Sequence, residues 1–328
     1  MTAALETVRA KVAAQKTALP ALYGDVDFDA TPERFTDDPT TSVAPRLAHA
    51  RLDPEKLALI KAYTMLGDVV ADAYAALMPK HGFRPLIQML TKACDEGLAA
   101  VPDAPPELAA FIADMERIPD WLDMDLVREG QRLDRNAAAN LGPFAIRGAF
   151  IATFMNKYAA LPMALTGTLS NDTAARRVNE TATFFTTTLL PGSLERHGAG
   201  FKAAAMVRLM HSMVRFNALK RSNLWDVGVY GIPIPQVDQM PAGLIPIFLM
   251  SYKIVATGRT VFTPEERARV ELARYRCFLL GLPEDLLADT PQGVVDTMNA
   301  RSATLRAGFD DATCGELVRA TLNAYLPP

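Results

Sequence analysis

The chain has 328 residues, half of them hydrophobic, with 34 Lys and Arg against 37 Asp and Glu for a net charge of −3. It is long enough to bury one large core or two ordinary ones, and its cations are scattered rather than pooled, which excludes a nucleic-acid footprint. Three distant cysteines, Cys94, Cys277 and Cys314, point to reduced thiols in a cytoplasmic protein rather than a disulfide framework, and no CxxCH sequence is present to attach a haem covalently.

Residues 1–53 read as an N-terminal arm. Its opening, MTAALETVRAKVAAQK, is a short charged helix without an apolar centre, neither a secretory signal nor an anchor, which adds to the expectation of a cytoplasmic location. From Leu19 to Pro54 the chain is rich in Asp, Thr and Pro and lacks periodicity. Asp53-Pro54 then opens a helix expected to run through Met78, closed by Pro79 to Gly82. Further helices follow over Pro85–Gly97 and Glu107–Arg117. Pro119 breaks the chain before Trp121 and a helix from Asp123 to Asn136.

Beyond Gly142 the segment PFAIRGAFIATFMNKYAALPMALTGTL is apolar almost all round and reads as a central, buried helix. Asn171-Asp172 caps the next helix, TAARRVNETATFFTTTL, where Arg177 and Thr181 share a face at i and i+4. After it comes AGFKAAAMVRLMHSMVRFNALKR. The stretch NLWDVGVYGIPIPQVDQMP holds too many prolines and glycines for a sheet and reads as a structured loop around the core. Thr263-Pro264-Glu265-Glu266 starts a helix through Leu280, and two more fill the region from Gln292 to Leu326. The runs Ala149–Leu165 and Ala242–Thr257 are too interrupted to supply the roughly 20 apolar residues of a transmembrane helix, so they too read as buried. No repeat or linker composition appears. The expectation is an all-α protein, one domain over residues 1–328 with roughly ten or more helices.

The helix from Ala199 to Arg221 places Arg208, His211 and Arg215 at i−3, i and i+4. One reading is a core histidine with two arginines reaching solvent. The other is a neutral imidazole on iron, with the guanidiniums holding the carboxylates of a haem. The methionines around it, Met206, Met210 and Met213, serve either as core filling or as a soft wall for a flat macrocycle.

Several segments in this order, IPDWLD, YAALPMALTGTL, ARRVNET, GAGFKAAAMVRLMHSMVR, GIPIPQVD and the TPEER helix ending in FLLGLP, resemble the latex-clearing protein (rubber oxygenase) and mpaB-type oxygenase family of helical b-type haem proteins. The resemblance implies a helical fold enclosing haem b. It implies His211 as the iron ligand, Arg208 and Arg215 as cofactor-binding companions, and Arg177 and Thr181 as pocket residues. It further implies dioxygen and a small apolar alkene or isoprenoid as reactants. The chain departs from the family in three places. Glu180 stands where relatives that cleave polymers can carry a lysine, no acid lies between Leu141 and Ser170, and Pro235 replaces an asparagine of the GxPxNQxD loop.

The expected function is thus haem b-dependent oxygenation of a small alkene. The alternative is a haem protein without catalysis, a gas or redox sensor or a carrier, which the missing pocket acid favours. His49, His81 and His197 lack ligand-spaced partners and read as surface or capping residues. Asp226 and Asp238 are the nearest acids to follow His211, and loop capping is the favoured use for both, ahead of an imidazole partner. Trp121 reads as a buried aromatic anchor.

Overall fold

The computed structural model describes residues 2–43, 48–166, 173–221 and 223–324, and among these residues it is helical, with two isolated β-bridges. In chain order the helices are α1 (Ala3–Ala18), α2 (Pro20–Tyr23), α3 (Pro54–Thr64), α4 (Val69–Ala75), α5 (Met78–His81), α6 (Phe83–Glu96), α7 (Pro106–Glu116), α8 (Met124–Phe154), α9 (Lys157–Thr166) and α10 (Ala174–Thr187). They continue with α11 (Ala199–Arg221), α12 (Val227–Tyr230), α13 (Met240–Ala256), α14 (Pro264–Leu279), α15 (Pro291–Thr304) and α16 (Glu316–Asn323).

Several starts follow the local chemistry. Asp53 accepts from Glu55 N with Pro54 at the first helical position, and Thr263 with Glu266 closes a reciprocal capping box on α14. The expected Asn171-Asp172 cap of α10 lies outside the described residues.

The expected helix from Asp53 to Met78 is instead two helices. It breaks at Gly67, where any Cβ would lie 2.1 Å from the Tyr23 hydroxyl and 2.3 Å from the Asp72 carboxylate. The chain turns there because those two groups meet, at 2.6 Å. Gln15 from α1 satisfies the broken backbone, donating to Met65 O and accepting from Gly67 N. The N-terminal residues are therefore tied into the body: Leu5, Val8 and Val12 are buried and α1 packs on α3.

The helices expected at Asp123–Asn136 and beyond Gly142 are one 31-residue element, α8. A proline inside a helix removes one hydrogen bond, and packing of α8 along α14, α10 and α16 outweighs that loss.

The buried apolar side chains form two clusters. The larger joins α1, α3, α4, α6, α7, α11, α13, α14 and α15, and the smaller gathers Phe154, Ala160, Ala174, Cys314, Leu317 and Ala320. The two apolar runs expected to be buried are covered only in part, for Met155 is 54% and Leu249 61% exposed. No helix among the described residues is long and apolar enough to cross a membrane.

Candidate functional site

Helix α11 has two unlike sides. Around the helix, Arg208, Ser212 and Arg215 follow one another on one flank of His211, at 4%, 0% and 1% exposure. On the other flank Val207 and Val214 are half-buried and Met210 is 39% exposed. His211 stands on the border, between a buried polar wall and a half-open apolar one.

The polar wall is a ladder of ion pairs. Arg208 donates through Nε and Nη2 to both oxygens of Asp68, at 2.6 and 2.8 Å, and through Nη1 to Asp114 at 2.9 Å. Arg215 pairs with the fully buried Asp72, which also accepts from the Tyr23 hydroxyl. The same guanidinium donates to Pro233 O at 2.8 Å and to Ile234 O. The two arginines expected to hold the carboxylates of a cofactor thus hold carboxylates of the protein. Buried charge is tolerated only where it is paired and hydrogen-bonded, and here every guanidinium nitrogen has a partner. Burial pushes the Asp68 carboxyl up, but Arg208 outweighs it and holds the group below the usual carboxylate range.

The loop before α13 is fastened to this wall. Ile234 adopts φ +45°, a left-handed conformation that a β-branched residue takes only under restraint, and Arg215 grips the carbonyls on either side of that turn. Four residues on, Asp238 accepts from Arg34 at 3.3 Å and Arg301 at 3.0 Å. Asp226 caps α12 through Gly228 N. Both acids therefore hold the loop, and the group that reaches the ring is Gln239, whose side-chain amide lies 2.9 Å from His211 Nδ1.

His211 is held neutral. Burial first, then the Arg215 and Arg177 charges, lower its pKa to about 3, with Asp68 and Asp238 opposing. A cavity of about 10 Å³, room for one water, touches the ring and is lined also by Gln236, Gln239, Ile234 and Leu280. A far larger cleft of about 520 Å³ adjoins it across Asp68, Arg208 and Gln236.

On α10, Arg177 Nη1 reaches Thr181 Oγ1 at 3.5 Å, and that hydroxyl donates to the Arg177 carbonyl at 3.3 Å. Burial lowers the Arg177 pKa, opposed by Glu180 at 3.7 Å. The charges of Arg177 and Arg215 thus act on His211, and Arg208 lines the same small cavity as the ring.

The other candidates are structural in their contacts. Trp121 donates to Glu284 at 2.8 Å and stacks against the Arg274 guanidinium at 4.0 Å, and His197 Nδ1 meets Cys94 O at 2.9 Å. Among the described residues no three His, Cys, Asp or Glu side chains gather as a metal site. Sequence reasoning passed over Asp68, Asp72 and Gln239. The two aspartates carried a signal, since LGDVVADAYAAL places acids at i and i+4 on an otherwise apolar helix. Gln239 carried none.

The model of the family described as "ER-bound oxygenase mpaB/B'/Rubber oxygenase, catalytic domain" matches residues 138–326, more than half of the chain. Among solved structures the chain is similar to latex clearing protein LCP in the closed state, with a TM-score of 0.62 and 20% identity over 88% of this chain and 74% of that one. No curated protein matches it. A helical fold like that of LCP and a family match spanning α9, α10, α11, α13 and α14 lead to one conclusion: the chain belongs to the mpaB/rubber oxygenase family.

Proposed function

We propose that the protein is a haem b-dependent oxygenase of a small apolar alkene, of the isoprenoid kind, with His211 as the iron ligand. The observation that carries this reading is the neutral imidazole set at the edge of a half-open apolar wall in a chain of an oxygenase family. The donor set suits the group. One nitrogen donor on its own holds iron when the cofactor brings the equatorial ligands, and an apolar wall of Val207, Met210 and Val214 suits a flat macrocycle. A ring neutral at all ordinary pH offers its lone pair without first losing a proton.

When bound, haem b supplies a redox-active iron with affinity for dioxygen. The chain does the rest. Arg208 and Arg215 contribute to cofactor binding by fixing α11 on α4 through Asp68 and Asp72, so that the ring cannot drift. Arg177 would set a half-buried positive charge near the ring, and Thr181 would hold it there, its hydroxyl donating to the Arg177 carbonyl and accepting from Arg177 Nη1, so that the pair shapes and polarises the pocket. The stretch from Leu141 to Ser170 carries no acid, so a general base comes from elsewhere or the chemistry uses none, and its apolar character suits an alkene.

The test is oxygen uptake by haem-loaded protein on a panel of soluble isoprenoid alkenes. Stoichiometric uptake with an oxygenated product is expected. The same missing acid favours the second reading, a haem sensor or carrier, under which dioxygen or carbon monoxide gives reversible spectral shifts and no product.

A further inference from the structure

We infer that Gln239 is a positioning residue for His211, its side-chain amide turning the carbonyl toward Nδ1–H so that Nε2 keeps its lone pair for a metal. This inference rests on the haem reading above for its metal, and on geometry alone for the contact.

A neutral imidazole carries a single proton, and the partner of one nitrogen decides which nitrogen has it. A side-chain amide is unusual among partners because it presents a donor at one end and an acceptor at the other. With its NH2 toward Nδ1, it leaves the proton on Nε2, and that nitrogen cannot ligate. Turned by half a revolution about its last torsion, it accepts from Nδ1–H and Nε2 is bare. The contact as it stands, amide nitrogen to Nδ1 at 2.9 Å, is the first of these arrangements. Metal-bound histidines are oriented and made more basic by such a partner on the second nitrogen.

Fixed points on both sides of Gln239 hold this placement. Gln239 follows directly on Asp238, which two arginines from distant parts of the chain, Arg34 and Arg301, clamp. It precedes Met240, wholly buried in the main core. The same loop carries the strained Ile234, whose carbonyl Arg215 holds. The side chain is thus delivered to the ring by fixed points before and after it. Arg215 in turn sits on the same helix one turn from His211, so ring and amide share one frame.

The experiment uses full-length protein with 15N-labelled histidine; with four histidines in the chain the spectrum is short to assign. In haem-free Q239E a carboxylate can only accept, so the His211 Nδ1 resonance moves from the unprotonated to the protonated range relative to wild type. In haem-loaded protein the iron midpoint potential falls in the order Q239L, wild type, Q239E, because a stronger acceptor makes the ring a stronger donor to the oxidised metal. An unchanged tautomer in Q239E, or coincident potentials in all three proteins, would overturn the inference. Should Q239E not fold, the potential of Q239L against wild type decides. Protein that takes up no haem would sink the functional reading while the tautomer measurement still judges the contact.

Discussion

His211 is the residue whose environment was hardest to foresee and is simplest to test. Its pKa near 3 in the folded chain, against 6.5 unfolded, means that the unfolded state takes up the proton first as the pH drops. Stability from this group is therefore present above about pH 6.5 and is lost as the pH falls toward 3, at no more than about 1.4 kcal/mol per unit. The partial exposure of the ring reduces the shift and so narrows this pH window. Denaturant titrations of the haem-free protein at pH 7 and 4.5 are expected to show a smaller loss in H211Q than in wild type. Equal losses would show that the ring titrates normally. The sequence revealed the cations flanking this ring at i−3 and i+4, because spacing along one helix is readable. It hid what those cations bind, because Asp68, Asp72 and Asp114 come from 94 to 143 residues away.

The staple between α4 and α11 is the element on which the site rests. Removing one partner of a buried pair leaves an uncompensated charge, so D72A is expected to cost about 3–5 kcal/mol in equilibrium unfolding. The more exposed Asp114 makes a cheaper link, and D114A should cost about 1 kcal/mol or less. A comparable loss in both would mean that burial does not set the energetics of the ladder. At the start of α14, T263A removes half of the capping box and should cost about 1 kcal/mol. That cap was legible in TPEE, as was the Asp53-Pro54 start. The break at Gly67 and the fusion of two expected helices into α8 were not. The first depends on Tyr23 approaching from another part of the chain, and the second on packing that overrides a helix-breaking residue.

At the scale of the molecule, the two apolar clusters and the exposed Met155 and Leu249 describe a helical body whose apolar surface is not fully closed on itself. The all-helical class could be read from the 3.6-residue periodicity and the order of motifs; this partial closure could not, since a half-covered and a covered apolar helix look alike in sequence. The proposed function makes the half-open apolar wall of Val207, Met210 and Val214 on α11 and the neighbouring His211 the two sides of one haem site, with dioxygen and an alkene as reactants. Its central claim is most directly tested by the absorption spectrum of the purified, haem-supplied protein, oxidised and reduced, with and without carbon monoxide, beside that of H211A. The account predicts a haem band that shifts with carbon monoxide in wild type, and a collapse of haem content in H211A with helical content preserved. Colourless wild-type protein, or an H211A variant with full haem and an unchanged spectrum, would contradict it.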